Sequence, residues 1–157
     1  MPITNNITRM LATKGIAFEA HGLPDEKLGG LEAAALLNVD PHQMFKTVVA
    51  LRPDGGKPVL ALVPAPAQLD LKALGRVLGG KRLLVASQGQ AEKLTGLQVG
   101  GISPLALIGK GFDVVLDETA LNFEKIYLSG GQRGLNLSMT PQSLIELTHA
   151  KSGKISE

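Results

Sequence analysis

The sequence predicts an α+β domain built on a mixed sheet, and three observations lead there. Strand-like runs and helix-like runs are intermingled without the regular strand–helix–strand alternation of a doubly wound fold. Two glycine-rich turns, "PDGG" at 53–56 and "SGGQRG" at 129–134, each join two β-rich runs and read as hairpins. Three helix-start signals, at Asp70, at Ser87 with Gln90, and at Thr140 with Pro141, place helices between the strands rather than in one block.

Each element follows from local chemistry. Residues 4–14 form an amphipathic pattern in which Ile7, Met10 and Leu11 share a face and Gly15 ends the helix. "IAFEA" (16–20) alternates as a strand does, and "GLPDEKLGG" (22–30) is turn-rich. "LEAAALLNV" (31–39) favours helix through its Ala and Leu content. "FKTVVALR" (45–52) and "KPVLALVPA" (57–65) are the arms of the first hairpin. Asp70 caps "LKALGRVL", which Gly79 and Gly80 close. "KRLLVA" (81–86) reads as a strand, the capping box at Ser87 opens a helix through "AEKL", and "LQV" (97–99) is a brief extended run. "FDVVLD" (112–117) is a strand and "ETALNF" a helical turn. "KIYLSG" and "GLNLSM" make the last hairpin, "QSLIELTHA" the last helix, and the tail "KSGKISE" is expected to fray.

Size and composition bound the function. The 157 residues are expected to form one domain, 1–157, with a core of Leu, Val, Ile and Ala, since there are four Phe, one Tyr and no Trp. The absence of cysteine excludes disulfides, thiolate-ligated zinc and a thiol nucleophile. The three histidines, His21, His42 and His149, have no metal-ligand spacing, so no metal and no cofactor is expected. A net charge of +2 does not by itself signal nucleic-acid binding. No apolar run approaches the ~20 residues of a membrane span, and "MPITNNITRM" lacks a signal-peptide pattern, so the expected compartment is the cytoplasm.

Three places could carry chemistry. Lys46 stands at the entrance of an apolar strand. It is either a cation facing a partly closed site or a solvent-facing edge lysine. "VGGISP" (99–104) could offer the amides of Gly100 and Gly101 to an anion, or it is a tight loop needing positive φ. It is no phosphate loop, because no Gly-Lys-Ser/Thr follows. The turn at Ser129, Gly130 and Gly131 could donate amides to a carbonyl or phosphate oxygen, with Arg133 pairing a phosphate, or it is a glycine-rich hairpin with a solvated arginine. Neither Ser103 nor Ser129 has a triad-like histidine beside it, which argues against a covalent serine hydrolase.

"FKTVVAL" (45–51), "LDLKALGRVLGGKR" (69–82), "AEKLTGLQVGGISPLAL" (91–107) and "IYLSGGQRGLNL" (126–137) resemble the YbaK/EbsC proteins, relatives of the editing (insertion) domain of bacterial prolyl-tRNA synthetases. The resemblance spans roughly residues 3–150. It implies a mixed α/β fold around a curved, barrel-like sheet and freestanding trans-editing of misacylated tRNA, with Cys-tRNA(Pro) deacylation as the nearest activity. It places the essential lysine at Lys46, the glycine loop at Gly100 and Gly101, and the serine-glycine turn at Ser129, Gly130 and Gly131. It implies a substrate-assisted reaction in which the cysteine thiol attacks its own ester. In that scheme Gly101, Gly130 and Gly131 present amides to the substrate, Ser129 hydrogen-bonds the same region, and Lys46 holds the terminal adenosine. Phe45, Ile102 and the adjoining Ser103 shape the pocket, while Arg133, Lys72, Lys81 and Arg82 reach tRNA phosphates. The implied partners are the 3′ end of tRNA(Pro) and prolyl-tRNA synthetase. Two positions depart from the family pattern: Leu23 stands where a tyrosine is usual, and Asn136 where an aspartate is usual. Editing of another small aminoacyl group, as in Ala-tRNA(Pro), and non-catalytic binding of a nucleotide or RNA 3′ end are the alternatives.

Overall fold

A computed structural model describes residues 4–157. The first helix, α1 (Asn6–Thr13), opens on a capping box. The Asn5 side chain accepts the Thr8 amide at 2.9 Å while the Thr8 hydroxyl accepts the Asn5 amide at 2.8 Å. Helix α2 (Gly30–Leu37) ends where Asn38 turns left-handed at φ 56°. Asp70 caps α3 (Leu71–Val77), Ser87 caps α4 (Gln88–Thr95), and Thr140 with Pro141 opens α5 (Pro141–Thr148), each as the sequence predicts.

The strands are β1 (Glu19–Gly22), β2 (Phe45–Leu51), β3 (Val59–Pro64), β4 (Leu84–Val85), β5 (Asp113–Asp117), β6 (Ile126–Ser129), β7 (Leu135–Met139) and β8 (Lys151–Gly153). They form a five-stranded sheet in the order β4-β2-β3-β5-β8 and a three-stranded antiparallel sheet in the order β1-β7-β6. The hairpins β2–β3 and β6–β7 are antiparallel, whereas β3–β5 and β5–β8 are parallel, so the larger sheet is mixed. One isolated parallel bridge, Met44 to Tyr127, joins the two sheets. The result is a curved wall rather than a closed barrel. Leu60, Leu62, Leu116, Ile126, Leu128, Leu137 and Leu144 are fully buried and fill the main core with Ile7 and Leu11 of α1.

Four segments differ from expectation. The first strand starts later, at Glu19, because Ile16 and Phe18 alternate to pack on the core and not to join a ladder. "KRLLVA" supplies only two strand residues, and "LQV" makes no strand. The tail does not fray: β8 extends the large sheet, and Ile155 is fully buried. Asp117 holds it there, its buried carboxylate accepting the amides of Ile155 at 2.9 Å and Ser156 at 3.1 Å. No composition signal reveals that anchor, because the carboxylate that makes it lies 38 residues upstream of Ile155.

Candidate active site

The site begins with a break in strand pairing. Along one edge, β2 is fully paired with β3 from Phe45 opposite Pro64 to Ala50 opposite Val59. Pro64 has no N–H, and the Ala65 amide reaches the Met44 carbonyl at 2.7 Å. Met44, Lys46, Val48 and Ala50 therefore turn their peptide groups toward β3, and Phe45, Thr47 and Val49 turn theirs to the opposite edge. That edge is closed at one end by the Met44–Tyr127 bridge and at the other by β4, where the Ala86 amide reaches the Val49 carbonyl at 2.9 Å. Thr47 lies between, where β6 runs close to β2 without forming a ladder with it.

A cavity of about 410 Å3 fills this gap. Its walls come from β2 (Phe45 to Val49), the start of α2 (Gly30, Ala33), the 99–102 loop (Gly100, Ile102) and the last hairpin (Ser129, Gly134 to Asn136). The volume suits a small ligand, and most of the lining is apolar with a few polar groups. The close approach of α2 depends on Gly30, where a Cβ would stand 2.8 Å from the Cβ of Ala65.

Lys46 is the cation of this cavity. Its ammonium donates to the Ala65 carbonyl at 3.3 Å and, among the described residues, makes no ion pair. Partial burial pushes its pKa below the ordinary lysine value. A charge without a partner in a half-apolar cleft is available to an anionic or carbonyl group.

The two glycine bends are packed on each other. A Cβ on Gly101 would lie 2.8 Å from the backbone of Gln132 and Arg133, and Arg133 Nε donates to the Val99 carbonyl at 2.9 Å. Their amides, however, are engaged within the protein. The Gly101 amide donates to Gln98 at 2.8 Å, the Gly130 amide to Leu135 at 2.9 Å, and the Gly131 amide to the Ser129 hydroxyl at 3.2 Å. The expectation that these three N–H groups are open to a substrate oxygen is corrected by those bonds. Gly100, Ile102 and Ser129 line the cavity, whereas Gly101, Ser103, Gly130, Gly131 and Arg133 are not in its wall. Ser103 is fully buried and caps the short 3-10 turn Pro104–Ala106 by accepting the Leu105 amide.

Two buried polar atoms on the cavity wall have no partner, Thr47 Oγ1 and Asn136 Oδ1. Asn136 is only 4% exposed, and its amide nitrogen reaches no more than the Met44 sulfur at 3.4 Å. Such groups are costly to leave unsatisfied. Behind Asn136 on the same sheet face, His21 Nε2 lies 3.0 Å from Ser138 Oγ and its ring centroid 5.3 Å from that of Tyr127. Burial lowers the His21 pKa. Sequence reasoning passed over Thr47 and Gly30. Thr47 left one signal: it is the polar residue between Phe45 and Val49 on the core-facing side of β2.

An α+β wall with a ligand-sized cleft, one unpaired lysine and no nucleophile–base pair in its lining defines a binding or editing pocket and not a triad hydrolase. Residues 30–147 match the aminoacyl-tRNA editing domain, and the chain belongs to that family. It is 28% identical over 152 residues to EbsC of Enterococcus faecalis, a proposed Cys-tRNA(Pro)/Cys-tRNA(Cys) deacylase, covering 96% of this chain and 92% of that protein. Among solved structures, the hypothetical protein APE2540 superposes with a TM-score of 0.88 at 27% identity, covering 98% of this chain and 100% of that one. A proposed trans-editing enzyme for prolyl-tRNA synthetase superposes with a TM-score of 0.79 at 27% identity, covering 99% of each chain. No helix of the described residues is long and apolar enough to cross a membrane.

Proposed function

We propose that this protein is a freestanding trans-editing deacylase that removes cysteine from Cys-tRNA(Pro), with Lys46 as its essential side chain. The observation that supports this most directly is a cleft holding an unpaired ammonium but no nucleophile–base pair. Lys46 lines it, and Ser129 has no histidine partner, its hydroxyl instead accepting the Gly131 amide. An aminoacyl ester is already reactive, so holding it in attack geometry supplies much of the acceleration.

The attacking group is then the substrate's own thiol. Its sulfur bonds to the ester carbonyl carbon, the carbon–oxygen bond to the ribose breaks, and the thiol proton ends on the departing ribose oxygen. The products are a cyclic thiolactone and free tRNA. Lys46 holds the 3′-terminal nucleotide and stabilises the negative charge that develops on the carbonyl oxygen. A net charge of +2 gives a modest electrostatic contribution to tRNA binding, so tRNA identity is assigned to a partner, prolyl-tRNA synthetase.

The test is a deacylation panel of Cys-tRNA(Pro), Ala-tRNA(Pro) and Ser-tRNA with the native protein and Lys46→Ala. Cys-tRNA(Pro) is expected to be cleaved fastest, and Lys46→Ala to lose about 100-fold or more while staying folded. Near-native turnover by that variant would remove Lys46 from the mechanism. Preference for Ala-tRNA(Pro) would overturn the thiol route in favour of attack by water or a ribose hydroxyl. Binding without ester loss would leave a non-catalytic RNA-end module.

A further inference from the structure

We infer that the edge strand β4, with the cations that α3 sets beside it, leads the single-stranded 3′ end of an RNA into the cavity, its phosphates on Lys72, Arg76, Lys81 and Arg82 and its bases against Leu84 and Val85. This rests on the aminoacyl-tRNA reading above and adds to it the path of the nucleotides that precede the terminal adenosine.

The charge of the chain is unevenly placed. Lys and Arg number 16 against 14 Asp and Glu, yet residues 71–91 hold four of the cations and no acid, so the rest of the chain is net negative. The fold then brings those four cations together. Gly75 of α3 lies against the start of the next segment, where a Cβ would run into the Lys81 carbonyl and stand 3.0 Å from the Arg82 amide nitrogen. The Leu83 amide reaches the Leu71 carbonyl at 3.3 Å, which sets Lys72 beside the same segment. Lys72 and Arg76 are one turn apart on α3, and all four cations are exposed. Among the described residues only Lys81 has an ion-pair partner, Asp54 at 3.1 Å. With those two side chains 73% and 71% exposed, the pair is weak. Asp70, the nearest acid in sequence, gives its carboxylate to the Ala73 amide.

The strand that follows joins this patch to the site. Leu84 and Val85 pair with Leu51 and Ala50 at the edge of the large sheet, yet they are 55% and 54% exposed. Open edges are usually guarded by charge, and an uncovered apolar pair gains free energy from any surface that removes it from water. Nucleobases have flat apolar faces that can do so. Single-stranded nucleic acids are bound in this way, with the backbone on cations and the bases on a platform of side chains. Val85, Ala86 and Gln88 then belong to the wall of the cavity that holds Lys46. From Arg82 to Ala86 an extended chain covers about 13 Å, within reach of the unpaired nucleotides of an RNA whose 3′ end lies in the cavity. An acidic protein surface would match the cations but has no reason to continue into the cavity. An RNA 3′ end matches the cations, the apolar pair and the cavity in sequence. Every tRNA ends in the same CCA, so contact here adds affinity without choosing among tRNAs, in keeping with a partner that supplies identity.

The experiment measures the binding of two non-cleavable probes to the full chain. One is 3′-(cysteinylamino)-3′-deoxyadenosine, and the other is a small RNA hairpin that carries the same group on a single-stranded CCA end. Lys81→Ala/Arg82→Ala is expected to weaken hairpin binding about tenfold at ~50 mM salt and to flatten the plot of log K against log salt by about 1.4, the share of two single-strand phosphates. The nucleoside probe is expected to bind this variant as it binds the native protein. Leu84→Thr/Val85→Thr is expected to weaken the hairpin about tenfold with the native salt slope, because it removes apolar contact and no charge. Arg9→Ala/Lys14→Ala alters two exposed cations of α1, the helix tied to the glycine bends through the Asn5 side chain and the Gly130 carbonyl, and is expected to change neither probe. All of these side chains are exposed, and unchanged urea midpoints would show that the variants are folded. A native salt slope in Lys81→Ala/Arg82→Ala, or a loss of slope in Arg9→Ala/Lys14→Ala instead, would overturn the path along β4 and leave the editing function standing. A blunt-ended hairpin that binds as tightly and with the same slope would reduce the patch to a general polyanion surface and overturn the path as well. If neither probe binds the native protein, the aminoacyl-tRNA reading fails and this inference fails with it.

Discussion

The glycine bends at 99–101 and 129–134 and the strands that carry Thr47 and Asn136 border one cavity, yet they use their hydrogen-bonding groups in opposite ways. The bends turn their amides inward, to Gln98, Leu135 and the Ser129 hydroxyl, and spend their missing side chains on close packing between two loops. The facing strands do the reverse: Thr47 of β2 and Asn136 of β7 sit in regular strands and each leaves a buried side-chain oxygen, Oγ1 and Oδ1, without a partner in the cavity wall. Glycine-rich sequence therefore marks where the walls of this site are locked together, and unpartnered side-chain oxygens on the strands mark where the wall is open to a ligand. Bare backbone and available hydrogen-bonding groups are different properties.

The sharpest way to break that contrast is Gly101→Ala. The new Cβ would lie 2.8 Å from the backbone of Gln132 and Arg133, which cannot yield as a flexible side-chain tip would. We expect a loss of about 3 kcal/mol in urea unfolding, with deacylation falling as the two bends separate. A Gly101→Ala protein of native stability that had lost its activity would show that Gly101 serves the substrate and not the wall. Gly130→Ala makes a milder comparison, because its closest contacts are with the side chain of Leu135.

The legibility of the molecule follows the same division. Capping residues act within three or four positions, so Asp70, Ser87 and Thr140 announce their helices in sequence. The hairpin turns are equally local. The β8 anchor is not, because it depends on Asp117 meeting the chain 38 residues later. Of the site, Lys46 and the glycine bends stood out by residue type, and the bends proved to be mutual neighbours. Thr47 stayed hidden because its significance lies in a hydroxyl that the fold buries on the cavity wall without a partner. Whether a buried hydroxyl is paired depends on what the fold brings beside it, and the residue's neighbours in sequence do not report it.

Asn136 tests the open side of the comparison with a smaller effect. Its carbonyl oxygen is buried without a partner, which costs the folded state free energy that a leucine, branched at the same carbon and somewhat larger, would not. Asn136→Leu is expected to raise stability by about 1 kcal/mol and to slow deacylation. The two readouts, thermal unfolding and single-turnover ester loss, should move in opposite directions. A variant that is less stable would mean that the oxygen is satisfied in solution, by ordered water in the cleft.

The smallest expected effect concerns Lys46 and has a definite sign. Burial lowers its pKa in the folded protein, while in the unfolded chain it titrates near the ordinary lysine value. Below the folded-state pKa both states hold the proton, and the folded protein bears the full cost of an ammonium in a half-apolar cleft. As pH rises from the lowered pKa toward 10.5, the unfolded chain binds more protons than the folded one, so this site's contribution to stability increases with pH. Lys46→Met has no such proton to lose. The variant should be the more stable of the two near neutrality, and its advantage should shrink at alkaline pH. Urea unfolding of both proteins at ~pH 7 and ~pH 10 measures the difference between them, in which the other lysines cancel. A gap that stayed constant across that interval would show that the cleft does not penalise the charge. Lys46 would then be an ordinary solvated lysine, and the contrast between a closed wall and an unsatisfied cleft would lose its electrostatic half.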